Sequence, residues 1–107
     1  MEKETTTNNS MAIVAYLTLI GWIIAIVVNN DKKDPFVSFH IRQMLGIMLL
    51  AFAISLVIQL TGVGILSILH LGTFVLWILG IMSAFKGTTD PVPLVGVQFQ
   101  DWFKAIS

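Results

Sequence analysis

The sequence predicts an all-α integral membrane protein, with three transmembrane helices followed by an amphipathic surface helix. Composition is the first reason. Hydrophobic residues make up 56% of the 107 residues and charged residues 11%, against about 45–50% and about 25% in soluble domains. A soluble domain this small has too little interior to hide that much apolar side chain. The second reason is the distribution: two long runs, 11–28 and 44–85, carry no Asp, Glu, Lys or Arg. The third is the length of the later run. As one helix it would reach about 63 Å, roughly twice the thickness of the hydrocarbon core, so it must fold back as two spans.

Residues 1–10 form a polar tail expected to be disordered, ahead of a single helical membrane domain over 11–107. The first helix is placed at about 11–28, where Tyr16 carries the one titratable side chain. A span takes about 20 residues, with about 17 as the lower limit, so this run just suffices. It does not read as a cleaved signal peptide. Glu2 and Glu4 outweigh Lys3 in the leading segment, and no small-x-small cleavage site follows.

The second helix is placed at about 35–60. Asp34 can cap its free N–H groups, and Pro35 suits the first helical position, where a missing N–H costs nothing. Its opening turns mix charge with aromatics, which fits the membrane interface, with Arg42 reaching to headgroups. The break falls at Thr61-Gly62-Val63-Gly64, where two glycines permit a tight turn. The third helix, about 65–86, ends on Lys86-Gly87, a cation followed by glycine.

Beyond a proline-broken turn at 88–93, residues Val95, Phe99, Trp102, Phe103 and Ile106 recur at helical spacing. Gln98, Asp101 and Lys104 lie opposite. This predicts an amphipathic helix over about 95–106, lying on the membrane surface with Trp102 and Lys104 as interfacial anchors beside Lys86. Three spans place Lys3 on one side and Lys32, Lys33, Arg42, Lys86 and Lys104 on the other. The positive-inside rule then puts the N-terminus outside and the C-terminus in the cytoplasm of a multi-pass protein of the cell (plasma or inner) membrane.

The chemistry the chain can carry is narrow. Cysteine is absent and the six basic residues balance six acidic ones. Disulfide and thiolate chemistry are therefore excluded, and no basic stripe argues for nucleic acid. There is no H-E-x-x-H, G-x-S-x-G or P-loop pattern, so an enzyme is not expected, nor is a cofactor or a metal site. Within lipid, small residues and polar pairs drive helix association. Gly21 with Ala25, Ala51 with Ser55, and Gly80 with Ala84 supply a close-approach pair on each span.

On the second helix, His40, Gln43, Ser55 and Gln59 fall near one line together with Met44, Ile47 and Ala51. That stripe faces protein rather than lipid. His40 and Gln43 either tie down the first loop and helix ends or line a polar vestibule that grips a partner. Arg42 lies about 200° round the helix from His40 and looks elsewhere. His70, inside the third span, is an additional candidate for a proton or ligand role; Gln59 or headgroups are its ordinary partners. Trp22 and Trp77 read as packing residues.

A family resemblance rests on several of these segments. Ala15-Tyr16-Leu17-Thr18, Gly21-Trp22-Ile23-Ile24-Ala25, the run from Asp34 to Gln43, Leu76-Trp77-Ile78-Leu79-Gly80-Ile81, Ala84-Phe85-Lys86-Gly87 and Pro93-Leu94-Val95-Gly96 carry it. They resemble a widespread group of small bacterial and archaeal membrane proteins of unknown function. That group is similar to the membrane region of the chloroplast inner-envelope protein-import translocon component, which has four spans. The resemblance implies a small helical membrane protein and a distant link to import, and it supplies no activity. The expected function is a non-enzymatic accessory subunit that packs against itself or larger membrane proteins, with membrane lipids as further partners. The alternative is an oligomeric pore or transport component related to protein import.

Overall fold

A computed structural model describes residues 2–106, with side chains from Ser10 onward. Every regular element is helical: α1 Glu2–Leu17, α2 Leu19–Lys32, α3 Pro35–Thr61, a 3₁₀ turn Gly64–Ile68, α4 Leu69–Lys86 and α5 Gly96–Trp102. Among the described residues, two segments are long and apolar enough to cross a membrane, Pro35–Thr61 and Gly64–Lys86.

The start of α3 follows the expected chemistry. Asp34 Oδ1 accepts from the Phe36 N–H at 2.9 Å, with Pro35 in the first turn. Its end is equally legible: Gly62 takes φ 70° and its N–H bonds to the Ile58 carbonyl. Helix α4 closes with Gly87 at φ 76°, the Gly87 N–H on the Ala84 carbonyl and the Thr88 N–H on the Ser83 carbonyl. That pair of bonds is the Schellman arrangement, which satisfies carbonyls the helix end would leave open.

The first apolar run departs from expectation. Residues 11–28 are not one helix, because the chain breaks at Thr18, which takes an extended conformation (φ −158°) and caps α2 by accepting from the Gly21 N–H at 3.1 Å. Helices α1 and α2 then run antiparallel. Gly21 sits so close to the Val14 carbonyl that a side chain there would collide with it. Neighbouring helices show the same directions. Along α1, the Tyr16 ring, which leans back toward the start of its helix, lies against Gly80 while the Tyr16 carbonyl accepts from Trp77 Nε1, so α1 climbs as α4 descends. Along α2, Trp22 Nε1 donates to the Ile41 carbonyl and Asn29 Nδ2 to Ser38 Oγ, so α2 descends as α3 climbs.

This hairpin reaches only the level of Trp77, nine residues from the end of α4, or about 14 Å along a helix axis. The start of α1 therefore lies at the same end of the bundle as Lys32 and Asp34, whereas three full spans would put it at the opposite end. Helix α1 also begins at Glu2, within the segment expected to be a disordered tail.

The C-terminal segment makes a second partial excursion. Its partners on α3 rise and then fall along that helix: Thr88 meets His40, Val92 meets Gln43, and the Pro93–Val95 turn borders a cleft with Leu50 and Ile54. Phe99 then lies on Gly46, and Gln100 bonds to the Phe39 carbonyl. The expected surface helix over 95–106 is thus a shorter α5 packed on α3. The turn carries Leu94 at φ 75° and 94% exposed. Amphipathicity alone could not distinguish lipid from Gly46 as the surface that receives Phe99.

Burial follows this layout. The buried residues of α3 lie between Val37 and Ile47, and those of α4 between Gly80 and Ala84 apart from Thr73. The far halves of both helices are mostly bare.

Candidate functional site

The densest polar chemistry lies where α1, α3 and the 88–92 segment meet. Tyr16, His40 and Gln43 are all fully buried, so each polar atom needs a partner. The partners form one directed chain. The Val92 N–H donates to Gln43 Oε1 at 2.8 Å, and Gln43 Nε2 donates to the Tyr16 hydroxyl at 2.7 Å. Tyr16 in turn donates to His40 Nδ1 at 2.6 Å, and His40 Nε2 donates to the Thr88 carbonyl at 2.8 Å.

The directions are forced at both ends. A carbonyl only accepts, so His40 carries its proton on Nε2 and leaves Nδ1 as an acceptor; a backbone N–H only donates, so the Gln43 amide turns its oxygen to Val92. The ring of His40 is walled by Tyr16, Phe36 and Phe39, each edge-on, with centroids at 5.4, 4.9 and 5.1 Å. Three smaller groups flank this chain. Ser83 Oγ donates to the Thr88 carbonyl at 2.9 Å, and Thr88 Oγ1 lies 3.0 Å from Asp90 Oδ2. Asn29 accepts from the Asp34 N–H at 2.9 Å, fastening the α2–α3 turn. Arg42 donates to Gln100 Oε1 at 3.2 Å, while its Nε is buried with no hydrogen-bond partner among the described residues.

The expected polar stripe is therefore divided. His40 and Gln43 come together, and Ser55 and Gln59 lie far along the exposed half of α3. Ser55 Oγ instead meets His70 Nε2 at 3.2 Å across the α3–α4 pair. Arg42, expected at headgroups, is turned toward α5. Lys86 and Trp102 are exposed, and Lys104 pairs with Asp101 at 3.7 Å.

The small residues divide in the same way. Gly21 and Ala25 are buried on α2, and Gly80 and Ala84 on α4, while Ala51 is half-buried. A Cβ at Gly80 would lie 2.7 Å from the Tyr16 ring, so this glycine makes room for the phenol.

Sequence reasoning missed Tyr16, Thr88 and the Val92 N–H as members of the chain, and Gly46 as the seat of Phe99. One signal was available: a phenol inside an apolar run must find a hydrogen-bond partner, and His40 and Gln43 were the nearest polar pair by character.

Chemically, the arrangement closes on itself. Each polar side-chain atom of the Tyr16–His40–Gln43 chain is spent on a neighbour within the protein. Among the described residues, no three His, Asp or Glu side chains gather as metal ligands. The polar centre is a joint between segments, set inside a helical membrane protein.

No curated protein and no solved structure matches this chain. One family model does, over residues 7–99, described as the magnetosome magnetite crystal formation protein family. The match accounts for the small-membrane-protein resemblance and gives no support to the import-translocon part of it. With α2, α3, α4 and the closed polar chain inside the matched region, this protein belongs to the magnetosome magnetite crystal formation protein family.

Proposed function

We propose that this chain is a non-enzymatic accessory protein of the membrane, working through packing against other membrane proteins or further copies of itself. The observation that carries this reading is the closed chain from the Val92 N–H to the Thr88 carbonyl. A site that handles a solute needs polar groups left open to it. Here those groups hold α1, α3 and the C-terminal segment together. The family description supports an accessory part in magnetosome magnetite crystal formation as the setting.

The proposed topology has two crossings, α3 and α4, with both partial hairpins entering from the side that holds the termini. All six basic residues belong to that end: Lys3 at the start of α1, then Lys32, Lys33, Arg42, Lys86 and Lys104. The positive-inside rule makes it the cytoplasmic side, in a cell membrane or one continuous with it. This replaces an N-terminus outside with an N-terminus inside.

Single-cysteine labelling in intact cells tests the topology, since the chain has no native cysteine. Ser10→Cys, Asn30→Cys and Asp101→Cys should resist an impermeant thiol reagent until the cells are opened. Val63→Cys should react from outside. Labelling of Ser10→Cys from outside would restore three spans. Crosslinking in the same membranes should recover a fixed oligomer or a stoichiometric partner, and recovery of monomer alone would sink the accessory reading.

A further inference from the structure

The two halves of the molecule differ in how much chain they contain. On the side of the termini the bundle has six passes: α1, α2, the first half of α3, the last half of α4, the 88–95 segment and α5. The far side has two, the distal halves of α3 and α4. The outer faces of the far side are bare, with Phe52 65%, Leu60 76%, Ile65 74% and Leu71 65% exposed. The tips of both partial hairpins also end in apolar side chains directed away from protein: Leu17 56%, Ile20 71% and Leu94 94% exposed. Such tips suit hydrocarbon at mid-depth, where water is absent and apolar surface carries no penalty.

We propose that this protein is a membrane wedge that binds and stabilises bilayers curved with the charged, terminus-bearing side convex. The argument rests on the two-crossing topology above. Each helix with its side chains is about 10 Å across, so the six-pass half occupies far more area in its leaflet than the two-pass half does in the other. In a flat bilayer, lipid must fill the difference in the far leaflet. Bending toward the narrow end shrinks that leaflet and removes the mismatch. The occupant of the bare far half is thus lipid, and the property selected is curvature.

The test uses the full chain labelled at Asp101→Cys and reconstituted into phosphatidylethanolamine–phosphatidylglycerol vesicles of mixed size. A membrane-impermeant quencher reports which molecules have the charged end outward. The density of those molecules per unit area should rise at least about threefold between vesicles of about 400 nm and about 50 nm, in the direction of curvature-sensitive binding. Molecules with the charged end inward should show the reverse trend. Gly46→Val, which displaces Phe99 and loosens α5, should flatten both trends.

Equal density at all sizes, with Ser10→Cys and Asp101→Cys labelled from one side, would overturn the wedge and leave the topology standing. Labelling from opposite sides would overturn both. High-yield crosslinking between copies through Phe52→Cys would put a second copy where lipid is proposed and would also overturn the wedge.

Discussion

Trp77 Nε1 donates to the Tyr16 carbonyl at 2.6 Å, and that carbonyl is open because α1 ends one residue later. The last carbonyls of a helix lack an intrahelical partner, and inside lipid such a group is costly. The indole of α4 satisfies it and fixes the depth of the hairpin tip. Trp77→Phe keeps the ring packing and removes the donor. It should cost about 0.5–1.5 kcal/mol of stability in detergent. Hydrogen exchange should quicken at the adjoining ends of α1 and α2 more than in α3.

Tyr16→Phe removes the centre of the polar chain and leaves His40 Nδ1 and Gln43 Nε2 without partners. At about 1–3 kcal/mol for each unsatisfied buried group, the cost should be about 2–6 kcal/mol. Gln43→Leu should be similarly damaging, and the double variant should cost less than the sum, since both changes break one network. Denaturant unfolding of the four proteins of this cycle checks it. Strict additivity would mean that the chain does not act as a unit.

The two histidines should respond to very different degrees. His40→Leu leaves the Tyr16 O–H without an acceptor, while the Thr88 carbonyl keeps Ser83 Oγ, and should cost about 1–3 kcal/mol. His70→Leu removes one 3.2 Å contact to Ser55 on an exposed face and should shift stability by no more than about 0.5 kcal/mol. Thermal unfolding of both variants in one detergent decides the matter.

Gly46 touches the ring of Phe99 with no space for a side chain. Gly46→Ala should overpack this contact, costing about 1–3 kcal/mol. The strain falls on α5, the shorter partner, so limited proteolysis should cut between Gly87 and Phe103 sooner than in the parent chain. Phe99→Leu in the Gly46→Ala background should restore part of the protection.

The sequence disclosed those parts of the fold that rest on local chemistry. Asp34-Pro35, Thr61-Gly62 and Lys86-Gly87 marked helix ends because a cap, a locked φ and a left-handed glycine are properties of neighbouring residues. Thr18 did not disclose itself. An apolar run of this length fits a short span or a hairpin equally well, since lipid surrounds the outer faces of both. What selects the hairpin is long-range: Gly21 meeting Val14, Trp77 reaching Tyr16, and a phenol finding His40 and Gln43. His40 and Gln43 were legible as a pair that looks toward protein. Their separation from Ser55 and Gln59 was not, because a stripe on a helix records direction and not which stretch a neighbour covers.

The break at Thr18 also bears on how the chain enters a membrane. In the two-crossing topology every charged residue stays on the side of synthesis, and the segment that reaches the far face, centred on Thr61-Gly62-Val63-Gly64, lies within an uncharged run from Met44 to Phe85. Moving a charge through hydrocarbon is the expensive step in insertion. One threonine turning the first apolar run back on itself removes that step from the N-terminal tail, so the whole protein can enter from one face with no charged side chain carried across.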